Sequence, residues 1–360
     1  MSDGTADTAG YRALLEGFAL REEPRVLFHV FGPGARRVVN GLVTNSVEGV
    51  GEGRGVYAFA LTAKGRPIAE MRILPPPPPG HGSMVSGDRD PETTEERFWI
   101  DIPASAADGF HDLLKRSVPP ILARVEVANV RRLSLLGPLA FQRAPSVLEA
   151  AGFEWGQVAG GDGLARPLDT LPLRRGSDVV GLLVRREPVE LDGIDVYLAS
   201  ELAGELERPI TSAVVEAGGA ACTAGDWDVR RIEEGLPVFG SEITLDNLPQ
   251  ETGQTERAVS FDKGCYTGQE VVARLHYRGH VNRELRGLRG DANGAGLNPG
   301  AELYSAGRVV GAATSVVESP RFGRIGLGYV RTSIEPGTRV FLSDSDPTGI
   351  EVIALPFTAT

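Results

Sequence analysis

Residues 261–285, FDKGCYTGQEVVARLHYRGHVNREL, concentrate side chains that could do chemistry. Cys265 is one of two cysteines in the chain, and Lys263 is one of only three lysines among the 37 basic residues. A nearby ammonium group favours the thiolate form of a cysteine, and Gly264 and Gly268 let the backbone approach a ligand closely. The pattern therefore predicts a tight loop that exposes a reactive thiol, with Cys265 as the nucleophile and Lys263 as its cation.

Two other interpretations of this stretch stay open. Cys265, His276 and His280 could bind a metal ion, although a structural zinc site needs a fourth ligand and Gly279 interrupts a helical face that would present both histidines. Cys265 could also be a buried structural residue in a glycine-rich turn. The residues alone therefore predict a thiol that contacts a ligand, without identifying the ligand.

The composition restricts the classes of partner. The formal charge is −11 at pH 7 and the chain has no basic run, so a nucleic-acid partner is not expected. The opening residues have neither a basic segment nor an apolar core, and no apolar run approaches the roughly 20 residues of a membrane span, so we expect a cytoplasmic protein without a membrane partner. Two cysteines without a CxxC motif fit a reducing compartment.

Hydrophobic periodicity predicts mixed strands and helices over most of the chain. Strands are predicted at 25–30, 98–102 and 193–199, a hairpin at 55–74 with Lys64-Gly65 at its turn, paired strands at 123–130 and 131–137, and helices at 32–43, 104–117 and 225–240. The last of these helices is predicted to have Asp226 as its cap.

Two segments depart from this pattern. Residues 75–97 are Pro-rich and then charged, which predicts a flexible, exposed loop. From about Leu285 onward, short β-rich runs are separated by Gly, Pro and Asn turns, which predicts a small β-barrel. We therefore expect an α+β protein with an αβ body over residues 1–280 and a C-terminal β-barrel domain over residues 285–360.

Several segments resemble one protein family. The octet KGCYTGQE (263–270) resembles the signature of the YgfZ-type folate-binding proteins, relatives of the glycine-cleavage T-protein (aminomethyltransferase) that are implicated in iron–sulfur cluster assembly or repair. The resemblance extends to GARRVVNGLVTNSV (34–47), LTAKGRPIAE (61–70), RRIEEGLPVFGSEI (230–243) and the barrel segment 310–331. It spans nearly the whole chain, and the octet is its most specific part.

The resemblance implies a T-protein-like fold and a cofactor. Two intertwined αβ subdomains would surround a central folate channel that the barrel closes on one side, and the ligand would be tetrahydrofolate or a one-carbon-substituted derivative. Asp195 matches a pterin-binding glutamate of the T-protein, and a carboxylate can accept two hydrogen bonds from a pterin edge. Arg231 matches an arginine that lines the T-protein's folate site. Tyr266, Gln269 and Glu270 of the octet are assigned to ligand binding, and no metal site is implied.

Asp195 and Arg231 each have a structural alternative. Asp195 could be a turn residue, and Arg231 could form an ion pair on a helix surface. The resemblance favours ligand binding for both residues, while their chemistry alone fits either role.

One departure from the family bears on the reaction. The T-protein has an Asp-Asp pair in its hairpin, one of which is catalytic, and the matching residues here are Ala69 and Glu70. Because the first carboxylate is lost and the cysteine octet is complete, we expect a tetrahydrofolate-binding protein that supports the assembly or repair of iron–sulfur cluster enzymes. The alternatives are a folate-dependent aminomethyl or one-carbon transferase and a non-catalytic folate-binding regulatory module, so whether the protein is an enzyme stays open.

The resemblance also implies partners. We expect a bacterial monomer that binds reduced folate and contacts iron–sulfur client enzymes or assembly factors.

Overall fold

The computed structural model describes residues 8–51, 53–78, 96–155, 164–187, 191–290, 296–343 and 349–358. The helices are α1 (Ala9–Glu16), α2 (Ala35–Leu42), α3 (Ala107–Ser117), α4 (Ala140–Ala150), α5 (Ser200–Glu216), α6 (Ala224–Glu233), α7 (Thr255–Ala258) and α8 (Gln269–Arg278). The strands are β1 (Ala19–Glu22), β2 (Arg25–Gly32), β3 (Val56–Leu61), β4 (Pro67–Leu74), β5 (Glu96–Pro103), β6 (Arg124–Ala128), β7 (Val130–Leu136), β8 (Thr170–Arg175), β9 (Asp178–Arg185), β10 (Gly193–Ala199), β11 (Ala220–Ala221), β12 (Arg283–Arg289), β13 (Glu302–Ser305), β14 (Arg308–Ser319), β15 (Gly323–Arg331), β16 (Arg339–Phe341) and β17 (Gly349–Ile353).

Two sheets form the body of the protein. The first sheet is antiparallel and has the strand order β3-β4-β5-β2-β6. The second sheet has the order β11-β1-β7-β10-β9-β8, in which only β1 and β11 are parallel among the described pairs. Apolar residues of α2 and α3 pack on the first sheet, and those of α4 and α5 pack on the second.

The faces of the two sheets that carry no helices meet in a shared core. Leu27 and Trp99 of the first sheet pack in one cluster with Leu182 and Tyr197 of the second. The body therefore has four layers, in the order helices, sheet, sheet and helices.

The chain crosses between these sheets at a single residue. β6 pairs with β2 in the first sheet, whereas β7, which begins after Asn129, pairs with β1 and β10 in the second. The prediction that 123–130 and 131–137 pair with each other is therefore wrong. Both segments are strands, but the two-residue periodicity that identifies a strand carries no information about its partner. This crossing intertwines the two halves of the body.

The cap of α6 also differs from the prediction. Thr223 is the N-cap residue and its hydroxyl accepts a hydrogen bond from the backbone N–H of Asp226. The carboxylate of Asp226 accepts a hydrogen bond from the backbone N–H of Thr223, which completes a capping box. Asp226 is thus the third helical residue and not the cap. The side chains of Thr223 and Asp226 each satisfy an N–H group that the start of a helix leaves unpaired.

The C-terminal strands close into a barrel with the order β12-β15-β14-β13-β16-β17, in which β17 pairs back to β12. Ile232 of α6 packs with Leu285, Leu327 and Phe357 and joins the barrel to the body. The predicted α+β class and C-terminal barrel are confirmed. The division into domains at residues 280–285 stays a prediction.

Most of the predicted loop at 75–97 cannot be compared with the structure. Residues 79–95 lie outside the described residues, and residues 96 and 97 already belong to β5.

Of the helices in the described ranges, none is both long enough and apolar enough to span a membrane.

His29 is a polar residue in the shared core. It lies on β2, is 0% exposed and stacks on Phe31 with ring centroids 4.7 Å apart. Neither of its ring nitrogens has a hydrogen-bond partner among the described residues. Burial is the largest cause that lowers the pKa of His29 from 6.5 to about 4; the charge of Arg97 contributes in the same direction and Glu126 opposes it. The folded protein therefore holds a neutral imidazole.

Because the folded state disfavours the imidazolium, the protein should lose stability as the pH falls through the window from 6.5 to about 4. Between about pH 7.5 and about pH 5 this loss should be about 2 kcal/mol of unfolding free energy, and His29→Phe should abolish it. Urea unfolding at both pH values measures the difference. The exposed His280 provides the control, since His280→Asn should retain the wild-type loss. An unchanged pH dependence in His29→Phe would contradict the assignment.

Candidate functional site

The octet at residues 263–270 is a loop that runs into the first turn of α8. Cys265 is exposed in this loop, whereas Tyr266 is 7% exposed and packs in the shared core. Gly268 has a φ of +84°, and a Cβ atom added there would lie 2.5 Å from the carbonyl oxygen of Thr62. Glycine is required by both the conformation and the contact. The chain therefore turns sharply into α8 and leaves the thiol in solvent.

Lys263 anchors the octet to α2. Its ammonium group donates hydrogen bonds to the carbonyl oxygens of Asn40, Val43 and Asn45 at 2.6, 2.7 and 2.9 Å. Asn40 and Val43 lie at the C-terminal end of α2, where unpaired carbonyls and the helix dipole favour a cation. An ammonium group has three N–H donors, and all three are used here. The role of Lys263 as the cation of the Cys265 thiolate stays a prediction.

A lysine suits this anchor better than an arginine would. The three carbonyl oxygens converge on one nitrogen atom, whereas a guanidinium group spreads its donors over a plane. Burial lowers the pKa of Lys263 to about 8, so the ammonium form still predominates at neutral pH.

The turn between β3 and β4 packs against the other side of the octet. A Cβ atom added to Gly268 would lie 3.2 Å from the Cα atom of Gly65. In the same way, a Cβ atom added to Gly65 would lie 3.1 Å from Cβ of Val271 in α8. Segments 34–47, 61–70 and 263–270, which are far apart in sequence, thus meet at one junction. Cys265 lies on the surface of that junction.

The two cysteines have different environments. Cys222 is partly buried, burial raises its pKa to about 12, and its S–H group donates to the carbonyl oxygen of Thr223. Cys265 is the exposed thiol. An electrophile in solution should therefore react first with Cys265.

A cavity of about 50 Å³ lies between polar side chains from both halves of the body and the apolar residues Leu236, Pro237 and Val238, which follow α6. Its charged lining residues are Glu23, Arg25, Glu70, Arg72, Arg132, Arg186 and Arg257. This cavity is a candidate position for the ligand channel that the resemblance implies.

Glu70 lines the cavity, and Ala69 does not. Successive residues of a strand point to opposite faces, so Ala69 packs in the core beneath α2 and α3. The hydroxyl group of Tyr57 donates a hydrogen bond to Glu70, and the guanidinium carbon of Arg257 lies 3.7 Å from the Tyr57 ring centroid. The position that lost its carboxylate faces away from the cavity, so the alanine does not by itself argue against transfer chemistry there.

Asp195 is fully buried, and its carboxylate is already engaged. It accepts hydrogen bonds from Arg72, Arg186 and Ser134. Burial alone would raise the pKa of Asp195, but the guanidinium groups of Arg186 and Arg72 hold it well below its usual range. A pterin edge would reach this carboxylate only after the two arginines moved away.

Asp101 on β5 is a second carboxylate of the same kind. It accepts hydrogen bonds from Arg25 and Arg132, each at 2.9 Å, and from the hydroxyl group of Tyr197 at 2.7 Å. Arg132 belongs to the second sheet and Asp101 to the first, whereas Arg72 of the first sheet pairs with Asp195 of the second. We call these linked residues the interior ion cluster: Arg25, Arg72, Asp101, Arg132, Arg186 and Asp195.

The size of the cavity is a further constraint on the implied cofactor. Pockets that bind cofactor-sized ligands measure on the order of 300–1,000 Å³, well above the 50 Å³ found here. A pterin therefore does not fit the cavity as the interior ion cluster stands. A separate cleft of about 760 Å³ lies between Arg66 of the hairpin turn, the segment 241–251 and the barrel.

Arg231 lies at the contact between α6 and the barrel. Its guanidinium group donates to Asp228, Glu242 and Ser315 at 2.7, 3.1 and 2.9 Å. It is 4% exposed and is not among the residues that line the cavity of about 50 Å³.

The described residues contain no group of three or more His, Cys, Asp or Glu side chains placed to hold a metal ion. His276 stacks on Phe261 with ring centroids 3.7 Å apart, and α8 ends before His280. The structure therefore does not assemble Cys265, His276 and His280 as metal ligands.

The residues predicted for the site occupy three different places. The octet residues lie at the junction with α2, Asp195 lies in the interior ion cluster, and Arg231 lies at the barrel contact. Gln269 and Glu270 begin α8, where Glu270 is exposed and Gln269 is partly buried. Their roles in ligand binding stay predictions.

Sequence reasoning missed the charged residues that accompany Asp195. Arg72 interrupts the apolar run MRIL, and Asp101 interrupts WIDI. Charged residues are almost never fully buried unless they are paired. A charged residue inside an apolar strand was therefore the available signal, but it does not identify the partner.

Comparisons with known proteins agree with the geometry of the fold. Residues 283–358 match the model of the glycine cleavage T-protein C-terminal barrel domain. The crystal structure of glycine cleavage system aminomethyltransferase T from Bartonella henselae superposes with a TM-score of 0.77 and covers 97% of this chain and 88% of its own, at 19% identity. This likeness shows that the chain has the T-protein fold.

Three relatives are similar in sequence. An aminomethyltransferase of Rubrobacter xylanophilus is 26% identical over 91% of this chain and 79% of its own length. The tRNA-modifying protein YgfZ of Yersinia enterocolitica is 46% identical over 70 residues, which are 19% of this chain and 21% of its own. The mitochondrial iron-sulfur cluster assembly factor IBA57 homolog of Neurospora crassa is 25% identical over 72% of this chain and 51% of its own.

The substitution Asp195→Asn tests how much the interior ion cluster contributes to the stability of the protein. It should lower the unfolding free energy by about 3–5 kcal/mol, because the buried guanidinium groups of Arg72 and Arg186 would lose their counter-charge. Asp192→Asn is the matched control: its carboxylate is 36% exposed and pairs with Arg185, so its loss should cost less than about 1 kcal/mol. Urea unfolding of both variants gives the comparison. Equal, small effects would show that the cluster does not hold the sheets together.

Proposed function

We propose that this chain, which is a YgfZ-type member of the glycine-cleavage T-protein superfamily, supports the assembly or repair of iron–sulfur clusters in other proteins. The observation that carries the proposal is the junction at the octet. There α2, the β3–β4 turn and α8 together hold one exposed thiol, that of Cys265. The name of the IBA57 relative, an iron-sulfur cluster assembly factor, indicates the kind of process, and the exposed thiol supplies a group that fits it.

The residues around Cys265 have distinct tasks in this proposal. Lys263 fastens the loop to α2, Gly268 permits the close approach of the hairpin turn, and Tyr266 inserts into the shared core. Together they fix the backbone on both sides of Cys265 and leave its side chain in solvent. A fixed, exposed thiol is suited to contacting a cluster or a reactive group on another protein.

A single cysteine limits what the chain can do alone. Protein-bound iron–sulfur clusters are usually held by about four cysteine ligands, and Cys265 is the only exposed cysteine of this chain. We therefore infer that the remaining ligands belong to the client, so the cluster is cargo and not a resident cofactor.

A reduced folate is the second part of the proposal. Binding in the central cavity requires a conformation in which Arg72 and Arg186 have released Asp195. Opening such buried pairs costs about 3 kcal/mol or more, and the apparent affinity falls by the fraction of molecules that are open. Folate would then bind only an opened form of the body and would stabilise that form.

A folate-dependent transferase is a second candidate, and Glu70 is the observation that favours it. Glu70 is a carboxylate inside the cavity, held by the hydroxyl group of Tyr57. The aminomethyltransferase relatives fit this alternative at the level of the superfamily. A non-catalytic folate-binding module is the third candidate and predicts neither turnover nor a requirement for Cys265.

Calorimetric titration with tetrahydrofolate tests the folate part. If the interior ion cluster must open, the dissociation constant should be about 0.1–1 mM, roughly a hundredfold weaker than that of an open site with micromolar affinity. No binding at several times that concentration would remove folate from the proposal. Binding below about 10 μM would place the ligand elsewhere, with the 760 Å³ cleft as the first place to look. Aminomethyl transfer by wild type that is lost in Glu70→Gln would put the transferase first.

The substitution Cys265→Ser tests the thiol. In cells that lack the endogenous protein, this variant should reach normal abundance and bind tetrahydrofolate as wild type does, yet fail to restore the activity of iron–sulfur enzymes. Cys222→Ser is the matched control and should restore that activity. Alkylation of the native protein should label Cys265 before Cys222. The cysteine-centred mechanism is wrong if Cys265→Ser restores enzyme activity as well as wild type does at equal abundance.

A further inference from the structure

The outward face of α8 carries an unusual set of exposed side chains. Arg274, Tyr277 and Arg278 are all exposed, and His280 follows the helix in an exposed position. Tyr277 is 66% exposed, which makes it one of the few large hydrophobic residues left in solvent in the described part of the chain. We call these four residues the α8 surface.

The fold does not account for the α8 surface. Within the described ranges, neither Arg274 nor Arg278 forms an ion pair or a side-chain hydrogen bond. Arg278 lies in the last turn, where a cation is favourable to the helix dipole, but Arg274 lies one turn earlier. Tyrosine and arginine are the residue types that protein interfaces favour over the rest of the surface.

Neighbouring rings hold Tyr277 in place. The ring of His276 stacks on Phe261 at 3.7 Å with an interplanar angle of 15°. Tyr277 meets this pair edge-on, with centroids 4.8 Å from His276 and 6.1 Å from Phe261. An aromatic side chain that is already fixed loses little entropy when a partner binds.

The small extent of the basic patch decides between two classes of partner. Basic and aromatic residues together could also bind single-stranded nucleic acid, but such sites need a positively charged groove that follows the backbone. The α8 surface presents two arginines and no such groove among its own residues, and the formal charge of −11 opposes any long polyanion, whether nucleic acid or peptide. A short patch of two arginines on an acidic protein fits a local acidic segment of another protein better.

We propose that the α8 surface docks an acidic segment of a partner protein beside the exposed thiol of Cys265. α8 begins four residues after Cys265, and its ten residues extend about 14 Å from the octet. A partner held by Arg274, Tyr277 and Arg278 would therefore lie within reach of the thiol. This inference identifies the surface of this chain that would bind the client of the proposed function. It rests on that function for the identity of the client.

The experiment uses the full-length protein and a fluorescein-labelled peptide of alternating Glu and Asp residues. Fluorescence anisotropy should show binding that weakens as the salt rises from about 0.05 to about 0.3 M, because screening reduces the attraction between exposed charges. The double variant Arg274→Glu/Arg278→Glu should bind about tenfold more weakly or worse, and Tyr277→Ala should bind severalfold more weakly. Arg308→Glu, which reverses an exposed charge on β14 of the barrel, is the matched control and should change binding less than twofold.

Three outcomes would overturn the proposal. A loss of about threefold or more in Arg308→Glu, which makes half the charge change of the double variant, would show that the peptide binds by net charge alone. Tighter binding of bulk tRNA, with loss of that binding in the double variant, would assign the surface to nucleic acid. Wild-type support of iron–sulfur enzymes by the double variant in cells would show that the surface is not used there. Failure of wild type itself to support these enzymes would count against the proposed function, while the peptide measurement would still decide about the surface.

Discussion

The body depends on the pairing of buried arginines with buried aspartates across its two sheets. Arg72 of the first sheet meets Asp195 of the second, and Arg132 of the second meets Asp101 of the first. Apolar packing alone could slide one sheet over the other, but a buried charge that loses its partner costs several kcal/mol. The pairs therefore fix the sheets in one register. Their arginines also line the cavity that is the candidate position of a ligand channel.

The same hairpin connects this interior to the surface. β4 carries Glu70 and Arg72 into the cavity, and the β3–β4 turn packs against Gly268 of the octet. A movement that releases Asp195 from Arg72 would thus begin on a strand whose turn contacts the loop that holds Cys265. The proposed ligand would therefore contact a strand that is continuous with the turn packed against the octet. Lys263 limits how far the loop can move, because it holds three carbonyl groups of the α2 end at once.

The geometry also weakens the argument that the sequence drew from Ala69. The replacement of an acid by Ala69 suggested a loss of transfer chemistry, yet residue 69 faces the helices and not the cavity. For a folate ligand or a transfer reaction alike, the constraint that the structure sets is Asp195, whose carboxylate is already paired with Arg72 and Arg186. The octet then stands out as the part of the molecule that offers an accessible reactive group.

The sequence by itself determined the mixed α+β class and the terminal barrel, and it singled out the octet, whose role stays a prediction. Periodicity and turn residues are local properties, so they identified β2, β5, β10, α2 and α3 from neighbouring residues alone. The sequence could not determine that β6 and β7 belong to different sheets, because the partner of a strand depends on residues far away in the chain. Nor could it show that Asp195 pairs with Arg72 or that Lys263 binds the end of α2. Those contacts join residues separated by more than a hundred positions, and only the folded chain brings their charges within reach of one another.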